Sequence, residues 1–169
     1  MVREALFSIL GNAVPNRTFI DIFAGTGAIG LEAISRNASE AVFLEREPRL
    51  AADIEKHLRK FEVADKGRVY KADVYRWAER WIPPADSVNL FLSPPFADLT
   101  ERLEEFLEMI RLLREKMPPD STLTIQVEDG FPDNRLPTQE EWDTRKYGRN
   151  MLYIWVKPIT DAPMSEPEA

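Results

Sequence analysis

The chain has 169 residues, of which 44% are hydrophobic and 30% charged, proportions typical of one globular domain with a core of its own. It contains no cysteine and a single histidine, which excludes disulfides, thiol nucleophiles and metal clusters built from these residues. The sequence shows no long apolar run and no signal-peptide pattern, so we expect a cytoplasmic protein without a membrane span. The formal net charge of −7 does not favour nucleic-acid binding over the whole surface.

Helical and strand patterns alternate along the chain. The pattern begins with an amphipathic helix at residues 2–10 and a strand of β-forming residues at 19–23. The predicted elements that follow are helices at 28–36, 48–61, 74–78 and 99–113, strands at 41–45, 68–72, 88–92 and 121–127, and a hairpin of 140–147 with 151–156. This order predicts one doubly wound α/β domain over residues 1–158, with a mostly parallel sheet and an antiparallel strand near one edge. Residues 159–169 are expected to be a disordered tail.

A glycine-rich turn joins the first predicted strand to the helix that follows it. Gly25 and Gly27 have no Cβ, so they can adopt positive φ and let a ligand approach the main chain. The turn lies at the carboxyl end of a strand and opens a helix, a combination that favours a nucleotide-like cofactor. A tight turn that binds nothing would need the same residues.

Two cofactor classes fit this turn. Gly25, Gly27 and Gly30 match the dinucleotide fingerprint, and Glu45 follows the first glycine by 20 residues, where a ribose-binding acid is expected. Asp21 lies just ahead of the turn, where its charge would repel a pyrophosphate but would suit the cationic amino acid end of S-adenosylmethionine. Asp21 could instead bond the N–H groups of the loop. We expect S-adenosylmethionine rather than a nicotinamide cofactor.

Further candidate residues fall at the ends of other strands, where the ligands of open α/β sheets lie. The carboxylate of Glu45 could accept both ribose hydroxyls, or it could simply be a solvated acid. Asp73 could accept from an adenine amino group, or it could cap the following helix. The predicted cofactor-binding residues are Asp21, Phe23, Gly25, Gly27, Glu45 and Asp73.

Residues 93–96 form a Ser-Pro-Pro-Phe motif at the end of the fourth predicted strand. Pro94 and Pro95 fix φ and lack N–H groups, so their carbonyls are rigid acceptors that can hold an exocyclic amine for attack on a sulfonium methyl group. Phe96 offers a face on which a base could stack. We predict that Ser93, Pro94, Pro95 and Phe96 are the catalytic residues. A plain turn with Phe96 in the core is the alternative.

With these motifs the chain resembles the bacterial methyltransferases that modify the exocyclic amino group of a guanine in small-subunit ribosomal RNA. The similarity is carried by residues 2–7, 21–33, 44–45, 72–73, 91–96, 136–137 and 147–148. The resemblance implies a Rossmann-like, seven-stranded sheet with helices on both faces, an S-adenosylmethionine site over the glycine turn and the target base at residues 93–96. It also implies an enzyme without a metal, whose partner is ribosomal RNA or a small-subunit assembly intermediate. We expect it to be a monomer.

Two departures from the family pattern affect these expectations. The family carries Asp or Asn where this chain has Ser93, whose shorter, neutral hydroxyl predicts catalysis weaker by about ten- to a thousandfold. A weakly active or inactive relative that binds cofactor or RNA is therefore the alternative function. The family also has a basic segment ahead of the first helix, whereas here only Met1 precedes it. The remaining candidate basic surface consists of Arg3, Arg145, Lys146 and Arg149.

Overall fold

The computed structural model describes residues 2–159. Its strands are β1 (Thr18–Ile22), β2 (Glu40–Leu44), β3 (Gly67–Tyr70), β4 (Val88–Leu92), β5 (Thr122–Glu128), β6 (Asp143–Tyr147) and β7 (Asn150–Val156). Within the described residues these seven strands form one sheet in the order β3-β2-β1-β4-β5-β7-β6. The pairs among the first five strands are parallel, whereas β7 lies antiparallel between β5 and β6.

Six α-helices accompany the sheet in this part of the chain. They are α1 (Val2–Leu10), α2 (Ala28–Ser35), α3 (Pro48–Lys60), α4 (Val74–Arg80), α5 (Phe96–Glu101) and α6 (Leu103–Lys116). Each parallel crossover from β1 to β5 carries at least one helix, as the alternating sequence pattern requires. The predicted mostly parallel α/β sheet with a C-terminal antiparallel hairpin is confirmed. The predicted tail at residues 159–169 lies, apart from Ile159, outside the described residues.

Helices cover both faces of the sheet because successive side chains of a strand point to opposite faces. Ile20 and Ile22 of β1 belong to a buried cluster that includes residues of α4 and α6. Phe19 of β1 belongs to a second buried cluster, on the other face of the sheet, which includes residues of α1. Phe43 of β2 packs on this second face with residues of α2 and α3. The carboxyl ends of β1 to β5 are left as the open edge of the sheet.

Several predicted strand ends differ from the structure. Strand β1 ends at Ile22, because Phe23 takes a left-handed backbone with φ 66° and starts the turn. Strand β3 ends at Tyr70, and Asp73 is not a strand residue, because its side chain caps α4. The first hairpin strand begins at Asp143 rather than at 140, because residues 139–141 form a 3₁₀ turn.

The long helix predicted at residues 99–113 is wrong as one element. Two helices, α5 and α6, occupy this stretch, and Arg102 between them has φ −128° and ψ 28°, outside the helical region. The Arg102 N–H donates to the Asp98 carbonyl of α5, and its carbonyl accepts from the Phe106 N–H of α6. The apolar spacing of the two short helices is continuous in sequence, so the pattern alone conceals the break.

Candidate methyl-transfer site

Two cavities lie at the carboxyl edge of the sheet, and Ser93 lines both of them. The first, of about 320 Å³, is bordered by the glycine turn, the end of β2 and the start of α4. The second, of about 380 Å³, lies between α5 and the end of β5. Helix α5 separates the two, because Pro95 and Asp98 line the first cavity whereas Phe96 and Leu99 line the second. We call them the turn cavity and the α5 cavity.

The glycine turn has the backbone that its sequence predicts. Gly25 has φ +57°, lines the turn cavity, and has no atom within 4 Å of the position that a Cβ would take. Gly27 has φ +80° and caps α2, and a Cβ there would meet the Cγ1 of Ile54 at 3.0 Å. Gly25 is therefore open to a ligand, whereas Gly27 is required by the left-handed turn and by the close packing of α3. Phe23 lines the turn cavity beside Gly25.

Asp21 is buried under the turn, with only 1% of its surface exposed. Its Oδ2 accepts a hydrogen bond from the N–H of Gly30 at 3.1 Å, which ties β1 to the first turn of α2. Burial raises the pKa of Asp21 to about 8, and the nearby Glu45 carboxylate adds to the shift while the Gly30 N–H opposes it. The structure thus gives Asp21 the loop contact that sequence reasoning kept open. A contact with the cofactor stays a prediction.

Glu45 follows β2 and lines the turn cavity. Its Oε2 accepts from the Gly25 N–H at 3.3 Å, and its Oε1 accepts from the Glu47 N–H at 3.4 Å. These long bonds orient the carboxylate, and each oxygen keeps a further lone pair for a hydroxyl donor. The backbone of Glu45 is held as well, since its N–H donates to the Tyr70 carbonyl at 3.0 Å.

Asp73 caps α4 and also faces the turn cavity. Its Oδ1 accepts from the N–H groups of Tyr75 and Arg76 at 2.9 and 3.3 Å, so it is the N-cap of α4. The same residue lines the turn cavity, and its Oδ2 lies 3.9 Å from the guanidinium of Arg102. The cap is therefore established, and a contact with an adenine stays a prediction.

Residues 93–96 bridge the two cavities. Within the described chain, neither the Ser93 hydroxyl nor the Pro94 carbonyl takes part in a hydrogen bond, whereas the Pro95 carbonyl accepts from the Asp98 N–H at 3.0 Å. Phe96 is 72% exposed at the start of α5, which excludes the alternative that it belongs to the core. Two free acceptors and one exposed aromatic face thus lie together where the α5 cavity opens.

A polar cluster beside the turn cavity was not predicted from the sequence. The Tyr75 hydroxyl donates to Asp98 at 2.7 Å, and burial together with this bond holds the pKa of Tyr75 above its usual range. The guanidinium of Arg102 lies 4.1 Å from the centre of the Tyr75 ring and pairs with Glu105 at 2.7 Å. All but Glu105 line the cavity. Only the break between α5 and α6 brings them together, and the uninterrupted apolar stripe gave no sign of it.

The predicted basic residues differ in their surroundings. Arg145 pairs with Asp143 at 3.1 Å, and Lys146 pairs with Asp129 at 2.8 Å. Arg3 borders a third cavity of about 350 Å³, which also touches Ser93. Two of the four cations are therefore already neutralised by neighbours on or near the hairpin.

Two kinds of feature are absent from residues 2–159. No helix there is long and apolar enough to cross a membrane. The same residues contain no cluster of three or more histidine, aspartate or glutamate side chains arranged to hold a metal ion.

The seven-stranded sheet has the fold of the S-adenosylmethionine-dependent methyltransferases, as the solved structures described below show. A family model described as "Conserved hypothetical protein 95" matches residues 1–156, and the chain belongs to this family. Together with the curated relatives described next, this match confirms the predicted resemblance to the small-subunit ribosomal RNA methyltransferases, while the guanine amino group as target stays a prediction.

Curated relatives carry names from ribosomal RNA methylation. Ribosomal RNA small subunit methyltransferase D of Escherichia coli is 32% identical over 137 residues, which cover 81% of this chain and 65% of that protein. The protein of the same name from Haemophilus influenzae is 31% identical over 149 residues, covering 86% of this chain and 72% of that one. The chain thus spans less than two thirds of the length of the Escherichia coli relative.

Solved structures agree in fold. An Escherichia coli structure described as a candidate methyltransferase has a TM-score of 0.76 and 25% identity, covering 94% of this chain and 86% of its own. An RNA methyltransferase of Salinibacter ruber, solved in complex with S-adenosyl-L-homocysteine, has a TM-score of 0.62 and 18% identity, covering 99% of this chain and 96% of its own. At that identity the second likeness concerns the fold alone.

Proposed function

We propose that this chain transfers a methyl group from S-adenosylmethionine to the exocyclic amino group of a guanine in small-subunit ribosomal RNA. The observation that carries the proposal is the meeting of two cavities at Ser93, one lined by Gly25 and Glu45 and the other by Phe96. A two-substrate transfer needs such a junction, because the reacting atoms must come together in line. The names of the curated relatives point to the same substrate class.

The residues of the turn cavity fit S-adenosylmethionine. Gly25 leaves open space against the main chain, and Glu45 presents a carboxylate that its neighbours orient for the two ribose hydroxyls. Asp73 and Ala72 form the wall at which an adenine would lie. No cradle of free N–H groups for a pyrophosphate is needed. When bound, S-adenosylmethionine would supply a methyl group from its sulfonium centre. The electrons of the broken S–C bond would stay with the sulfur.

The chain's own residues hold the amine. The Ser93 hydroxyl and the Pro94 carbonyl accept its two N–H groups, so that the nitrogen lone pair faces the turn cavity. Phe96 stacks on the base, which reaches the site only when it is unstacked from its neighbours. The nitrogen forms the new N–C bond with its lone pair and then releases a proton to water, because Ser93 is neutral and cannot take it up. We further propose that the chain is a cytoplasmic monomer. Its partner is ribosomal RNA or an assembly intermediate of the small subunit.

A second candidate function is a weakly active or inactive relative that binds cofactor or RNA. Ser93 favours it, because a hydroxyl cannot offset the positive charge that develops on the amine as a carboxylate does. The two candidates share the cofactor site and differ only in the rate of transfer.

Calorimetric titration with S-adenosyl-L-homocysteine tests the site that both candidates share. We expect binding in the micromolar range, weakened at least about tenfold by Glu45→Ala, since two hydroxyl-to-carboxylate bonds of about 1 kcal/mol or more each are lost. The matched control is Glu55→Ala, an exposed glutamate on α3 outside the cavity. Binding of NAD in place of the homocysteine compound would contradict the proposal, as would affinity that does not depend on Glu45.

A further inference from the structure

Gln126 lies beside Ser93 on the neighbouring strand. Leu92 of β4 pairs with Ile125 of β5, so Ser93 and Gln126 are the next residues along two parallel strands. Neighbouring strands are about 4.8 Å apart, comparable with the width of the edge of a base. On the other side of Gln126, β7 places Leu152, which is buried. The amide thus has an apolar neighbour on one side and the predicted catalytic hydroxyl on the other.

The side-chain amide of Gln126 is free to bind a ligand. It is half-buried, lines both the α5 cavity and the third cavity, and makes no side-chain hydrogen bond within residues 2–159. By contrast, the amide of Asn89 on the same face of the sheet has partners for both its nitrogen and its oxygen: it donates to the Ala13 carbonyl at 2.8 Å and accepts from Thr122 at 2.6 Å. The Gln126 amide therefore offers two donors and an acceptor to a ligand that enters these cavities.

Geometry then limits what Gln126 can meet. A base stacked on Phe96, with its amine at Ser93 and Pro94, would turn one of the two ring atoms next to the amine, N1 or N3, toward the neighbouring strand. With N1 on that side, a guanine presents the N1–H donor and, beyond it, the O6 acceptor. A side-chain amide presents an acceptor and a donor side by side, which matches this pair.

We infer that Gln126 reads the target base, its Oε1 accepting from N1–H and its Nε2 donating to O6 of the guanine whose amine Ser93 holds. This inference rests on the proposed function and adds to it a residue that selects the base. It makes Gln126 a contact of the substrate, at the border between the α5 cavity and the third cavity, which Asp21 and Gly25 also line.

The test uses a base that keeps the 2-amino group but lacks the N1–H and O6 groups that Gln126 would contact. The wild-type chain first methylates reconstituted small ribosomal subunits, and mass spectrometry locates the target nucleotide. Particles are then rebuilt by splinted ligation with 2-aminopurine at that position, which retains the 2-amino group but has neither N1–H nor O6. We expect the wild type to prefer guanine by about 10- to 100-fold in kcat/KM, the range of one or two lost hydrogen bonds.

Gln126→Met removes the amide while keeping the volume of the side chain. We expect it to lose about 10- to 100-fold on guanine, to act on 2-aminopurine as the wild type does, and to bind S-adenosyl-L-homocysteine with unchanged affinity. Gln139→Met, at an exposed position of the 3₁₀ turn before β6, is the matched control and keeps the wild-type preference.

This design distinguishes failure of the inference from failure of the proposed function. If Gln126→Met retains the wild-type preference for guanine, or acts on guanine within twofold of the wild type, the inference is overturned while the proposed function stands. If the wild-type chain binds the homocysteine compound but methylates no guanine, the proposed function fails, and the inference fails with it.

Discussion

A neutral hydroxyl at residue 93 determines how much the site can stabilise a developing positive charge. Ser93 lies where both cavities meet, and within the described chain its hydroxyl has no other hydrogen-bond partner. It can accept one N–H of an amine, but it adds no negative charge. The rate of transfer is therefore the property most sensitive to this residue.

Ser93→Asp is expected to raise the rate of methyl transfer by about ten- to a thousandfold, because a carboxylate both accepts the N–H and offsets the charge on the nitrogen. The rate is measured under single-turnover conditions with the enzyme in excess. Ser93→Ala, which removes the acceptor, should be slower than the wild type. A rate for Ser93→Asp equal to or below that of the wild type would contradict the role given to this position.

Asp21 makes the stability of the fold depend on pH. Its pKa is raised by burial to about 8 from an ordinary 3.8, so the folded chain binds this proton more tightly than the unfolded chain does. The stabilisation by the protonated carboxyl is fully present below about pH 4 and is lost as the pH rises through about 8, by at most about 1.4 kcal/mol per pH unit.

Asp21→Asn should flatten this dependence. The amide oxygen still accepts from the Gly30 N–H, but it does not ionise, so the free energy of unfolding should fall less between pH 5 and pH 8 than in the wild type. Urea denaturation followed by circular dichroism at the two pH values measures the difference. Asp65→Asn, at an exposed position, is the control. Parallel pH dependences for Asp21→Asn and the wild type would show that the buried carboxyl is not the cause.

At the scale of elements, the position of the glycine turn depends on the close packing of α2 against β2. A Cβ on Gly30 would lie 2.3 Å from Cε1 and 2.8 Å from Cζ of Phe43, a fully buried ring. The third glycine of the motif is thus a packing residue, while Gly25 faces the cavity and Gly27 forms the turn. The same closeness brings the Gly30 N–H within reach of Asp21.

Gly30→Ala should lower the free energy of unfolding by about 1–3 kcal/mol, because the overpacking outweighs the roughly 1 kcal/mol that alanine contributes to a helix. Urea denaturation measures the loss. Phe43→Leu removes the ring atoms that clash, so Gly30→Ala should cost less in that background. Equal costs of Gly30→Ala with Phe43 and with Leu at that position would rule out the proposed contact as the cause.

Local motifs explain which parts of the site the sequence could predict. The glycine turn, Glu45 and residues 93–96 each follow a strand directly, and short-range rules place them at the carboxyl edge. Tyr75, Arg102 and Gln126 come from three other elements and converge only in the folded chain. The break at Arg102 was hidden because an apolar stripe continues across it, and Gln126 was hidden because an isolated glutamine in a strand has no motif.

At the scale of the molecule, alternation of strands and helices was enough to predict the sheet, since parallel strands need helical crossovers. Charge was less informative. The net charge of −7 is at odds with an RNA substrate only if the whole surface is counted. The contact with the base proposed above relies on stacking at Phe96 and on hydrogen bonds at Ser93 and Gln126, and it places no ion pair there.

Methyl transfer to small ribosomal subunits tests the central claim most directly. Reconstituted particles with unmodified RNA are incubated with the chain and S-adenosylmethionine labelled in the methyl group, and the RNA is digested and examined by mass spectrometry. We expect one methyl group on the exocyclic nitrogen of a single guanine, acquired slowly, faster with Ser93→Asp and more slowly with Glu45→Ala when the cofactor is not saturating. Label on another base, or no label even with Ser93→Asp despite measurable binding of the cofactor product, would contradict it.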